Sequence, residues 1–138
     1  MNTYIFIGLL ITTFVFATII WNKRHRQKLR KLADSRPVKS KEDYISFYIQ
    51  KDYPKEYIEA VYDAVQTYVK HDWFSMYPED DLINDYDIDH EDLEESLMSV
   101  LKKKNLTLPD KSKLDFLNEK YADKLTAEHL IEVLSIEN

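Results

Sequence analysis

Nine carboxylates fall within sixteen residues, at Asp80, Asp81, Asp85, Asp87, Asp89, Glu91, Asp92, Glu94 and Glu95. Such density attracts cations, so calcium is the first chemistry to test. Setting Asp85, Asp87 and Asp89 at positions 1, 3 and 5 of a calcium loop puts His90 where glycine is required and Ser96 where a bidentate glutamate belongs. A designed cage is excluded, loose divalent binding is left open, and a solvated acidic face is the expected state of these side chains. The histidines, His25, His71, His90 and His129, have no histidine partner at i+3 or i+4, and with no cysteine a zinc site has too few donors. His71, Asp72 and Ser75 have the residue types of nucleophilic catalysis, but neighbours at a helix end do not set a nucleophile against its base. Disulfides and thiol nucleophiles are impossible, and one glycine, Gly8, cannot build a phosphate-cradling loop. The chemistry left to the carboxylates is recognition. We expect Asp89, His90, Glu91, Asp92, Glu94 and Glu95 to form a partner-binding face, with no catalytic residue, metal or cofactor.

The charge distribution narrows the partner. Residues 22–41 hold nine Lys/Arg against one Asp, whereas residues 42–101 hold three against seventeen Asp/Glu, within a net charge of -6. The acidic middle would repel phosphates, which excludes nucleic acid and favours a basic protein surface. The basic block follows YIFIGLLITTFVFATIIW, residues 4–21, whose only interior polar members are threonines. Eighteen residues make roughly 27 Å of helix, enough to cross a bilayer. Tyr4 and Trp21 stand at its ends, where aromatic rings prefer the headgroup level. The basic run NKRHRQKLRK (22–31) then orients the span with the N-terminus outside and residues 22–138 in the cytoplasm. A cleaved signal peptide would carry its positive charge before the apolar run and small residues after it, which is the reverse of Trp21-Asn22-Lys23. The basic run reads first as a topology signal, with attraction to anionic lipid as a second role.

These features require elements to hold them. The expected spans are an outer N-terminus at 1–3, a membrane helix at 4–21, a basic juxtamembrane segment and linker at 22–39, and a helical domain at 40–138. Ser40 with Asp43 starts a short helix ending near Gln50. Pro54 opens a second, about 54–71, on the stripe Tyr57, Ile58, Val61, Tyr62, Val65, Tyr68 and Val69. A long loop follows, with Trp73, Phe74, Tyr77, Leu82 and Ile88 available to pin it. Asp89 caps a helix from His90 to about Lys104 that buries Leu93, Leu97, Val100 and Leu101. Leu114, Leu117 and Tyr121 suggest a short helix at 111–122, and Thr126 caps a last one with Leu130, Ile131, Val133 and Leu134. No strand pair is visible, so the class is all-α.

The stretch YPEDDLINDYDIDHEDLEESLMSVLKKKNLTLPD, residues 77–110, resembles acyl carrier proteins in its order of long loop, acidic helix start and Pro-Asp exit. The likeness extends loosely over 54–136. IDHEDLEESL looks closer to a small bacterial acyl-carrier-like family of unknown function. The resemblance implies a small helix bundle whose acidic second helix docks basic partners, and a phosphopantetheine serine after the aspartate. Here His90 stands at that place and no Asp-Ser-Leu occurs, so the imidazole cannot form the phosphodiester. The expectation is a non-enzymatic, membrane-anchored, acyl-carrier-like interaction module at a bacterial inner membrane. The alternatives are a functional acyl carrier working with a membrane acyltransferase, or an inner-membrane immunity protein binding a toxin.

Overall fold

The apolar run passes into the basic run without a break in the helix. In the computed structural model, which describes residues 2–136, helix α1 spans Thr3–Asp34. Met1, Glu137 and Asn138, the ends of the expected spans, lie outside the described residues. The first part of α1 is long and apolar enough to cross a membrane, and its large apolar side chains from Tyr4 to Trp21 are exposed. The hydroxyls of Thr12, Thr13 and Thr18 donate to the carbonyls of Gly8, Leu9 and Phe14 at 2.8, 2.8 and 2.9 Å, so these polar groups are satisfied within the helix itself. The last turns of α1 are a different surface. Leu29 is fully buried in the core of the remaining chain, and Leu32, one turn on, packs beside it. The packed unit therefore begins well before the expected boundary at Ser40, because an i, i+3 apolar pair is hidden in a run dominated by Lys and Arg.

Five further helices complete an all-α architecture, with no strand among the described residues: α2 Lys41–Ile49, α3 Lys55–Gln66, α4 His90–Lys103, α5 Lys111–Lys120 and α6 Ala127–Ser135. Their starts follow capping chemistry. The Ser40 hydroxyl accepts from the Asp43 amide at 3.1 Å while the Asp43 carboxylate accepts from the Ser40 amide at 3.0 Å, closing a capping box. Asp89 accepts from Glu91 N–H at 2.8 Å and Asp110 from Lys113 N–H at 3.1 Å. Thr126 occupies the N-cap position of α6 without a side-chain cap bond. Helix α3 ends at Gln66, short of the expected 71, yet Val69 in the following turn is still buried. With the single glycine in α1, the left-handed positions of the domain fall to Asp52, Asp87 and Asn105, residue types that tolerate that conformation best after glycine.

Helix α3 is the central element, packed on α2, α4 and α6, while α5 packs chiefly on α6. Tyr44 of α2 meets Tyr62 of α3 edge-on at 4.9 Å and Tyr48 at 5.4 Å. Ile58, Val61 and Val65 of α3 face Leu130, Ile131 and Leu134 of α6 in one core, with Leu93 and Leu101 closing the α4 side. Burial of this many branched apolar side chains is what holds short helices that would not persist alone.

Candidate functional site

The acidic block divides into two groups with different fates. The loop between α3 and α4 carries the first, Asp80, Asp81, Asp85 and Asp87, and here these carboxylates are engaged within the fold. Asp80 is buried and accepts two bonds from the Arg36 guanidinium, at 2.6 and 2.7 Å. It also accepts from the Tyr86 hydroxyl at 2.5 Å and the Tyr77 amide at 3.2 Å. Arg36 donates a further bond to the Ser75 carbonyl at 2.8 Å and lies 4.0 Å from the Tyr77 ring centre. Burial works against the charge on Arg36, but the hydrogen bond and charge of Asp80 outweigh it and hold the guanidinium above its ordinary pKa. Burial, with the Asp80 charge beside it, likewise pushes the Tyr86 phenol up, so it remains a donor. Asp81, also buried, accepts from the amides of Ile83 and Asn84 and from the Asn84 side chain, each at 2.9 Å. Burial alone would raise its pKa; these hydrogen bonds win and hold it below the usual carboxylate range. Asp85 accepts from the Asp81 amide at 2.8 Å. Asp87 pairs with Lys28 at 2.5 Å and with His25 at 3.4 Å, and Lys28 also donates to the Asn84 carbonyl.

The expected solvated face is thus corrected for Asp80 and Asp81, which serve as the loop's internal framework. The basic segment at 22–39, expected to set topology, also makes contacts within the fold. His25, Lys28 and Arg36 clamp the loop onto α1, and the Arg30 guanidinium sits 5.2 Å from the Trp73 ring centre. Sequence pattern did not single out Arg36, Met76 or Tyr86, all of which the loop depends on. A lone Arg beside Pro37 carries no periodic signal; its pairing is set only by the fold.

Helix α4 carries the second group. Asp89, His90, Glu91, Asp92, Glu94 and Glu95 are all exposed, and α4 brings them together at its N-terminal end. Among the described residues no Lys or Arg pairs with any of the five carboxylates. Asp89 is the helix cap, so its carboxylate is partly engaged; the other four are open to a partner. The near-sequence trio His71, Asp72 and Ser75 is used differently. His71 stacks on Trp73 at 4.6 Å, and the Ser75 hydroxyl accepts from the Lys39 amide at 3.0 Å.

Beside α4 lies a feature that periodicity did not reveal. A cavity of about 560 Å³ opens between α4 and α5 over a floor made by α6, with Leu93, Leu97, Leu114, Leu130 and Val133 in its wall. His90, Glu94 and Met98, spaced i, i+4, i+8 along α4, form one side of it. His129 also lines it, its Nε2 3.1 Å from Asn118 Oδ1 and its buried Nδ1 without a hydrogen-bond partner. Burial lowers the His129 pKa, against a smaller opposing pull from Glu132, so the ring is neutral near pH 7. Leu97 of the α4 stripe is half-buried, packed against the core at the cavity wall. No protein-family model, curated protein or solved structure matches the chain.

Proposed function

We propose that this chain is a membrane-anchored, non-catalytic docking module. Residues 4–21 hold it in a bacterial inner membrane with the N-terminus outside, and the helical domain lies in the cytoplasm. The exposed face of α4, with Asp89, His90, Glu91, Asp92, Glu94 and Glu95, captures a basic surface on a partner protein. One observation carries this reading: Asp80, Asp81, Asp85 and Asp87 of the acidic block are neutralised or hydrogen-bonded within the fold, whereas Glu91, Asp92, Glu94 and Glu95 of α4 are left open. An unneutralised cluster raises the association rate with a basic partner and makes it sensitive to salt. The acyl-carrier resemblance supports the same helix as the docking element. The test is a photocrosslinker at Glu91 of the intact chain in living cells. Capture that is lost when Glu94 and Glu95 are changed to Lys supports the reading; capture that survives the change refutes it.

A second reading, an acyl carrier, draws on the apolar cavity that His90 lines. It is the weaker one, because no serine lines that cavity. Intact mass after incubation with a phosphopantetheinyl transferase discriminates: the docking module gains nothing, a carrier gains one arm.

A further inference from the structure

We infer that the cavity between α4 and α5 is a groove for the basic amphipathic juxtamembrane helix of a partner membrane protein. The inference rests on the anchored, α4-docking reading above and names the partner's form. The groove does not end in a closed pocket. Met98 and Leu108 line it and are 47% and 45% exposed, so apolar surface continues from the wall onto the outer rim. A ligand buried inside would leave that rim wet; a helix laid along the groove covers both. Methionine at the rim suits such contacts because its flexible thioether adapts to irregular apolar surfaces.

Charge selects the kind of helix. Glu94 and Asp123 stand exposed among the lining residues, the described lining holds no Lys or Arg, and Glu91 lies one turn before Glu94 on α4, so the rim is negative. A fatty carboxylate or a phosphate headgroup would meet repulsion here, whereas lysines and arginines flanking an apolar stripe are attracted.

Position selects where that helix comes from. Asn84 lines the groove, and its carbonyl accepts from Lys28, which is seven residues beyond Trp21. At about 1.5 Å per residue, Lys28 lies roughly 10 Å along α1 from the aromatic boundary of the apolar span. A neighbouring membrane protein emerges at this level, and its cytoplasmic flank carries the Lys/Arg excess of the positive-inside rule.

The test uses the full chain in phosphatidylcholine nanodiscs, with empty discs as the blank. The probes are a fluorescein-labelled 18-residue Leu/Lys amphipathic peptide and a scrambled peptide of the same composition, followed by anisotropy. The amphipathic peptide should bind at least tenfold more tightly than the scramble. Met98→Lys with Leu108→Lys, at exposed positions that leave the melt unchanged, should abolish that difference. Reversal of Glu91, Asp92 and Glu95 to Lys should weaken both peptides. Equal binding of the two peptides overturns the groove and leaves electrostatic docking standing. Tight, groove-dependent binding that ignores charge reversal overturns the docking reading and leaves the groove. Binding of neither peptide overturns both. Palmitate that displaces the peptide assigns the groove to a lipid, and loss of peptide binding in discs holding two copies assigns it to a second copy; either result overturns the proposal.

Discussion

Arg36 and Asp80 show what a single buried pair does in a domain with no glycine to shape its loops. Their side chains are 13% and 8% exposed, so each charge is accommodated only by the other and by Tyr86, Tyr77 and the Ser75 carbonyl. Removing one partner strands the other in a poorly solvated site, which typically costs about 3–5 kcal/mol. Asp80→Ala should therefore lower the denaturant midpoint of the full chain sharply, and pairing it with Arg36→Met should recover part of the loss. A double variant no more stable than the single would show that the carboxylate acts through Tyr86 alone. His129 gives a second prediction at this scale. Its folded pKa lies below the unfolded value because burial disfavours the imidazolium. The unfolded chain then binds the proton more readily, so stability should fall as pH drops below about 6.5 and level off beneath the folded pKa. His71 is lowered too, by burial and by the nearby charges of Arg26 and His25, so it contributes in the same window. His129→Leu should flatten, without abolishing, the pH dependence of the melting temperature between 7 and 5.

Among the elements, α3 is the one whose failure would be most costly. Val65 is 1% exposed and lies on the face of α3 that meets the core. Val65→Asp would bury an unpaired carboxylate, costing several kcal/mol against a domain stability of about 5–15, and should abolish the cooperative melt. A variant within about 0.5 kcal/mol of wild type would place this face at the surface. Three of the helices were legible because each announces its start: the Ser40/Asp43 box, Pro54 and Asp89 stand at N-caps, followed by apolar residues at helical spacing, whereas the Asp110 cap of α5 was read only as part of an extended exit. The loop was legible only as a loop. Leu82 and Ile88 could be named as its apolar pins, but the Arg36–Asp80 pair spans 44 positions, and no local period records such a contact. The α4 carboxylates were found by composition, since charge density needs no tertiary information. The groove beside them was not, because it exists only where α4 and α5 stand apart above α6.

For the whole molecule, the basic excess of residues 22–41 and the continuity of α1 lead to two connected expectations. By the positive-inside rule the excess predicts a cytoplasmic domain, so a C-terminal phosphatase fusion that needs export should be inactive and a fluorescent fusion bright. Active phosphatase would reverse the orientation. The continuity joins the apolar span to the domain, since α1 runs from that span to Leu29 in the core without an intervening linker. A fragment cut at Ser40 discards Leu29, Leu32 and Arg36 together. Losing a fully buried leucine costs about 2–5 kcal/mol, and leaving Asp80 unpaired about 3–5 more, which approaches the whole stability of a domain this size. The soluble fragment 22–138 should therefore melt cooperatively, while 40–138 should show weak or no cooperativity by circular dichroism and should bind a dye for exposed apolar surface. If 40–138 were as stable as 22–138, the basic end of α1 would be a tether alone. The domain would then be free to swing beneath the membrane, with its acidic helix and groove held at no fixed distance from the bilayer.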